Sequence, residues 1–338
     1  MMNRTHPTLR LTLAMLAFML VLGPASAQYG GERAGTAGFQ SLQLPVDARG
    51  AALGQTSVTM ADDGSSLFWN PALAALATTE TPYAVSFATT RYHAETALHY
   101  VSAIARIRTF HVGLSLQAFD GGRMEETTEL QPSGTGRTFG YLEWAAGLTV
   151  SQKLTDLFSY GITGKFVQMS TIGVSAQTAV LDLGVHYQVG DTGAKIGVAI
   201  RNFGVGSASP AGEVEIVNPD GTVETIDTFT RITPPTQFFL GISYDAIQTA
   251  QHDLTVAAQL SNPADNQERF GVGAEYTWND LLILRGGYVV GVDEGTVPSL
   301  GFGVHVPQFG GPRLRVDYAF NTLDRLGSVH RVGVDLRF

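Results

Sequence analysis

From Pro82 to the C-terminus, hydrophobic and polar residues alternate in short runs separated by clusters of Gly, Pro, Asn and Asp. At the end of the chain, Val332, Val334, Leu336 and Phe338 fall on one side of the pattern, with Arg331, Gly333, Asp335 and Arg337 on the other. Upstream, Leu142, Trp144, Ala146, Leu148 and Val150 interleave with Glu143, Thr149 and Ser151. Likewise Phe270, Val272, Ala274, Tyr276 and Trp278 interleave with Arg269, Gly271, Gly273, Glu275 and Thr277. A period of two is that of a β-strand, whose successive side chains point to opposite faces. About fourteen such segments can be marked, and helical periodicity is absent among them. One apolar and one charged face per strand is the pattern of a transmembrane barrel, with lipid outside and an enclosed lumen inside. A one-residue slip would turn the charges into lipid, so the alternation also sets the register. The second and third segments are the least regular, because His99, Arg106 and Arg108 interrupt them.

The connections add an independent expectation. With both termini in the periplasm, the odd connections lie outside the cell and should be the longer ones. The third (about Asp120 to Arg137) and the seventh (about Gly204 to Thr233) are long, whereas Ala105 to Thr109, Lys153 to Asp156 and Trp278 to Asp280 are tight. Both long connections are acidic, with Glu125, Glu126 and Glu129 in the third and Glu213, Glu215, Asp220, Glu224 and Asp227 in the seventh. Individually these are solvated loop residues. Long loops carried on a rigid barrel are nonetheless candidate surfaces for a protein partner.

Residues 28–80 do not alternate. They are rich in Gly and Ala, with short possible helices over Val46 to Leu53 and Pro71 to Ala77. Their apolar content, including Leu42, Leu53, Leu67, Phe68 and Trp69, is too high for a disordered tail. A plug, or hatch, inside the lumen is favoured over a periplasmic cap. Before it, Arg4 and Arg10, the apolar run Leu11 to Leu22 and Ala25-Ser26-Ala27 read as a secretory signal peptide cut after residue 27. The expected division is therefore signal peptide 1–27, hatch 28–80 and barrel 81–338.

Composition narrows the function classes. With no cysteine, disulfides and thiolate chemistry are excluded. Charged residues make up 15% and mean hydropathy is +0.08, the average expected when half of each strand faces lipid and half faces water. Loss of Arg4 and Arg10 with the leader would take the formal charge from −9 to about −11, which argues against nucleic acid as a partner. The seven histidines after the leader lack paired spacing, and neither G-x-S-x-G nor a phosphate-binding glycine loop occurs. The adjacent Asp62 and Asp63 lack the ligand spacing of a calcium loop. No catalytic, metal or cofactor site is expected, and the protein is read as a non-enzyme. The glycine pairs Gly271/Gly273 and Gly301/Gly303 sit inside strands, where they suit close backbone packing or contact with the plug.

Within the hatch runs Val46 to Leu76, with Ala48-Arg49, Gly54, Ala61-Asp62-Asp63 and Trp69-Asn70-Pro71-Ala72 as landmarks. This stretch resembles the N-terminal signature of the PorV/PorQ family of outer-membrane proteins, except that Leu73 stands where that family usually has Gly. FadL-type fatty-acid channels carry a similar Asp-Asp then Asn-Pro-Ala arrangement, on a fourteen-stranded barrel with an N-terminal hatch. From the residues alone, Asn70-Pro71 reads as a cap and first turn of a short helix, and Asp62-Asp63-Gly64 as a turn. Arg49, Asp62 and Asp63 are natural partners for lumen charges such as Arg285, Arg315, Asp317 and Arg331.

The resemblance implies a cell outer membrane location, surrounding lipid, and assembly by the barrel-insertion machinery through a C-terminal strand ending in Phe338. As function it implies a PorV-like role with secreted cargo or a type IX secretion complex. The alternative is a FadL-like channel for hydrophobic small molecules, in which a ligand pocket between Phe68, Trp69 and the wall is expected.

Overall fold

The alternating segments form fourteen antiparallel strands, each paired with its neighbours in sequence, and the last pairs with the first to close a barrel. They are β1 (Tyr83–Arg91), β2 (Ala97–Ile107), β3 (Phe110–Glu125), β4 (Thr138–Lys153), β5 (Phe158–Thr171), β6 (Val174–Gln188) and β7 (Ala194–Gly204). The second half comprises β8 (Gln237–Gln248), β9 (His252–Pro263), β10 (Arg269–Trp278), β11 (Leu282–Val290), β12 (Ser299–Val306), β13 (Arg313–Leu323) and β14 (Gly327–Arg337). This computed structural model describes residues 33–77, 80–129, 131–204, 209–217, 222–227, 229–291, 298–306, 312–323 and 327–338. The signal-peptide segment 1–27 and Asp220 lie outside the described residues, and of Glu215 only the backbone is described.

The closing ladder of β1 on β14 runs from Ala84 opposite Arg337 to Arg91 opposite His330, and the terminal aromatic extends it. Tyr83 N–H donates to the Phe338 carbonyl at 3.0 Å and Phe338 N–H to that of Tyr83 at 3.1 Å, while the two rings sit 5.7 Å apart on the outer surface. The predicted alternation holds along the wall: Phe87, Leu148, Ile162, Ile242, Leu284 and Val332 are exposed, whereas Ser86, Thr149, Thr163, Ser243, Arg285 and Arg331 are buried. β2 and β3 are complete strands. Arg106 takes the inward position opposite His111 and so fits the alternation, whereas His99 faces outward, a polar residue on the lipid side that does not interrupt the strand.

Length follows the expected parity only in part. The third and seventh connections are long, but the fifth is a tight turn at Ile172 and Gly173. There the extra residues are invested in strands, since β3 to β6 run past their neighbours and a short strand, Ala211–Gly212, pairs with the outer end of β6. The seventh connection carries a two-stranded ribbon, Val214–Val217 with Val223–Ile226, and then turns back into the mouth. Gly38 N–H donates to the Thr233 carbonyl at 3.0 Å, and Ile232 packs on the Phe39 and Leu42 cluster.

Residues 38–77 fill the lumen. Their helical pieces α1 (Ala48–Ala52), α2 (Ser66–Trp69) and α3 (Ala74–Ala77) are far too short to persist alone. Caps and wall contacts hold them. Asp47 accepts from Gly50 N–H at 2.7 Å at the start of α1, and Asn70 accepts from Ala72 N–H at 3.1 Å before a 3₁₀ turn at Pro71–Leu73. Apolar clusters join this segment to the wall around most of its circumference: Phe68, Trp69 and Leu73 with Leu98 and Tyr100, Leu67 with Ile104, Val58 with Phe239, and Ala52 with Ala319. The inner wall is thus less polar than the alternation alone implies, because these inward positions meet protein instead of water. Leu73 is fully buried in the largest of these clusters.

Candidate functional site

Two large cavities lie in the lumen among the described residues, with the inner segment between them. The outward one, about 630 Å³, opens at the end away from the termini and is lined by Leu44, Pro45, Ala51, Tyr92, Phe119 and Val289, with Arg331 among its polar residues. The other, about 840 Å³, opens at the end where Tyr83 and Phe338 meet and is lined by Arg49, Asp62, Glu275, Arg285, Arg315 and Arg337. α1 separates them: Arg49 lines one cavity and Ala51, half a turn on, lines the other.

That partition is fastened by ions. The Arg49 guanidinium binds Glu275 of β10 bidentately, at 2.8 Å through Nε and 2.7 Å through Nη2, and also reaches Asp62. Arg315 of β13 binds Asp63, lies 3.4 Å from Asp62, and meets Asp317 at 2.8 Å. Arg285 joins Glu275 to Asp317 at 2.6 and 2.5 Å, and Arg337 meets Asp62 at 3.2 Å and Asp335 at 2.9 Å. Four guanidiniums and five carboxylates from the hatch and four strands therefore form one continuous lattice. Asp62 is its hub. Enclosure in the lumen would raise its pKa, but Arg49 first, then Arg337 and Arg315, hold it well below the ordinary carboxylate range. Bidentate, well-oriented guanidinium pairs of this kind are the strong class of charge-assisted hydrogen bond.

The other hatch-motif residues make a second lock on the opposite side. Trp69 Nε1–H donates to Asp47 at 2.7 Å, so one carboxylate ties the start of α1 to the end of α2. Burial first, then the charge of Asp63, pushes Asp47 upward, against the hydrogen bonds from Gly50 and Trp69. Asn70 donates to the carbonyls of Val58 at 2.9 Å and Val185 at 3.1 Å, clasping the Pro71 turn to β6. Replacing Trp69 with Phe should keep the packing but strip Asp47 of a donor, at a cost of about 1–3 kcal/mol in urea unfolding. A loss below 0.5 kcal/mol, on the order of noise, would show that Asp47 finds another partner.

Of the hatch residues singled out in the sequence, Arg49, Asp62 and Asp63 lie in the ion lattice, while Trp69, Asn70 and Pro71 lie in the second lock and are not brought together with them. The acidic loop residues do not converge in the same way. Glu126 is engaged within its own loop by Thr135 at 2.6 Å and by Arg137 at 2.6 Å, which hold its carboxylate below the usual range. Glu125 and Glu213 are exposed. Between Phe68 and the wall there is only a void of about 10 Å³, lined by Leu67, Tyr100, Gln117, Ala145 and Lys165 and far too small for a hydrophobic ligand; the Phe68 and Trp69 rings stack edge to face at 5.0 Å, and the Arg201 guanidinium covers Phe68 at 3.6 Å. Arg201 and the left-handed Asn202 beside it form a bulge of β7, held by Asp182, that no local sequence signal announces. Among the described residues, no group of three or more His, Cys, Asp or Glu side chains is placed to hold a metal ion.

No family model matches this chain, and no curated protein matches its sequence. Solved structures do match in shape. The toluene transporter TodX of Pseudomonas putida superposes with a TM-score of 0.60 at 15% identity, over 87% of this chain and 97% of that one. The monoaromatic hydrocarbon channel CymD gives 0.60 at 12% identity, over 87% and 97%. A Pseudomonas aeruginosa FadL homologue gives 0.55 at 12% identity, over 87% and 98%. The fold is that of a FadL-like outer-membrane barrel. At these identities the likeness is one of architecture.

Proposed function

We propose that the protein is a non-enzymatic outer-membrane conduit for hydrophobic small molecules, taken up through the outward cavity and passed inward when α1 shifts. The observation that carries this reading is the pair of cavities on either side of one five-residue helical turn. The outward cavity offers what a small-molecule site requires: an apolar and aromatic side formed by Leu44, Pro45, Tyr92, Phe119 and Val289, and a few polar groups for orientation. Arg331 is one of these, bound to Asn321 at 2.5 Å and lying 5.6 Å from the Tyr92 ring centre. The shared architecture with channels described as carrying toluene and monoaromatic hydrocarbons adds support.

The secretion-partner reading draws on the hatch motif, and a PorV-like protein would present its long connections to cargo. Glu126 committed to Arg137 and a seventh connection folded into the mouth favour the conduit instead. Uptake of labelled hydrophobic solutes into proteoliposomes separates the two. Val289→Trp, which fills the outward cavity from the wall, should slow entry about fivefold, the equivalent of roughly 1 kcal/mol. Equal uptake by vesicles with and without the wild-type protein, together with secreted proteins co-purifying after mild solubilisation, would transfer the case to the secretion reading.

A further inference from the structure

The outward face of the wall is nearly free of charge. Between the termini and the irregularity of β3 at Asp120, the described outward positions of the fourteen strands carry one arginine, Arg91, three histidines, and no lysine or carboxylate. Two of those histidines flank the arginine. Arg91 of β1 stands directly opposite His330 of β14, and His99 of β2 is paired with Thr89, one outward position below Arg91. Directly opposed residues have Cβ atoms roughly 5 Å apart and diagonal ones roughly 7–8 Å apart, so the three side chains share one patch.

Height identifies what meets that patch. From Tyr83 at the closing seam to Arg91, at about 3.3 Å per residue and a tilt of about 40°, the wall rises roughly 20 Å. The apolar band of such barrels is about 25 Å tall, which puts Arg91 at its outer rim, where a cation costs little and lipid headgroups begin. Aromatic rings border the patch, as in an interfacial girdle: His330 lies 5.4 Å from Phe320 and 6.1 Å from Tyr318.

The hydrogen bonding fits an acceptor from outside the protein. Arg91 makes no ion pair among the described residues: Glu95, exposed in the turn after β1, is not paired with it, and on the strands the outward carboxylate Asp120 stands two strands away and accepts from Gly122 N–H. His99 Nδ1 pairs with the Thr89 hydroxyl at 3.0 Å and His330 Nδ1 with the Tyr318 hydroxyl at 2.7 Å. In the tautomer that accepts at Nδ1 the proton sits on Nε2, and each ring then offers one free N–H donor. A guanidinium flanked by two such donors suits a phosphate, with several acceptor oxygens and a full negative charge.

We propose that the seam formed by β14, β1 and β2 binds a phosphate-bearing lipid of the outer leaflet through Arg91, His99 and His330, with the acyl chains along Phe87, Val101 and Val332. This site lies on the opposite side of the wall from the lumen and is independent of what passes through it. Native mass spectrometry of the full-length protein in neutral detergent tests it, with diphosphoryl lipid A as the probe and its dephosphorylated form as the control. Wild-type protein should retain the phosphorylated form preferentially. Arg91→Ala should lower its occupancy about fivefold, the scale of one cationic side chain at a membrane surface, and removing both histidines should lower it further. Arg91→Lys should keep most of it. Heat-modifiable electrophoretic migration, which should be unchanged, verifies that each variant is a closed barrel. Equal retention of the two lipid forms by wild-type protein, or undiminished retention by Arg91→Ala, would overturn the proposal.

Discussion

Arg315→Ala will cost about 3–5 kcal/mol of unfolding free energy, the scale of breaking a buried ion pair by removing one partner. The size of the effect follows from which carboxylate is stranded. Asp317 keeps Arg285, and Asp62 keeps Arg49 and Arg337, but Arg315 is the sole cation paired with Asp63 among the described residues. The Asp63 side chain is only 6% exposed with the pair intact, so its charge depends on Arg315 and not on water. Arg313→Ala is the matched control. Its pair with Glu80 lies one inward position nearer the rim, and both side chains are 68% exposed, which limits its contribution to about 1 kcal/mol or less. Adding Asp63→Asn to Arg315→Ala should recover a large part of the loss, because the stranded charge is then gone. Urea unfolding in detergent micelles gives all four values. Equal losses for Arg315→Ala and Arg313→Ala would mean that the lattice is solvated and does not hold the hatch.

The features that could be read in the sequence were those with a local cause. Strand alternation is enforced residue by residue, by lipid on one face, so the fourteen strands and their register were legible, as was the inward direction of Arg285, Arg315 and Asp335. Even Arg106 obeys it; His99 does not, because a polar residue can occupy the outward face near a strand end. The hatch motif was legible as chemistry: a lone Arg49 and an Asp62-Asp63 pair in an otherwise apolar stretch require counter-ions, and a charged wall supplies them. Features set by distant contacts were not legible. Arg201 over Phe68 joins residues far apart in the chain, and the inward turn of the seventh connection depends on Ile232 finding Gly38. Neither leaves a periodic or compositional trace. The cavities were hidden for a related reason, since they are the spaces that the hatch fails to fill.

On the proposed conduit reading, passage has to contend with how closely the hatch is seated. On one side the seat is made of backbone. The Leu53–Gly54 corner, just past α1, lies against Gly271 and Gly273 of β10 and Gly287 of β11, where any Cβ would intrude. A Cβ on Gly287 would come within 2.1 Å of Gly54 N and 2.2 Å of Leu53 C, with no flexible side chain to give way. On the other side α1 is held by ions, which can exchange partners without unfolding. The shift that opens a path is therefore expected at the ionic side, with the glycine seat acting as a fixed pivot.

Gly287→Val should abolish that pivot. The valine and the Leu53–Gly54 backbone cannot occupy the same place, so the corner must lift and the outward and inward cavities should merge beside β11. In planar bilayers the variant is expected to show an ionic leak at least about tenfold above wild type, because a water-filled path carries small ions that the sealed hatch excludes. Gly286→Val provides an internal control one residue away. Its Cβ would point to lipid, with the nearest atom, Leu300 Cδ2, at 3.8 Å, so it should leave both leak and stability unchanged. The backbone at 287 is extended, which suits a β-branched residue, so any loss is attributable to the collision and not to strand propensity. A Gly287→Val barrel that stays closed and as tightly sealed as Gly286→Val would show that the corner can yield without opening a path. The pivot would then have to be placed elsewhere, with the Asn70–Pro71 clasp on β5 and β6 as the next backbone contact to test.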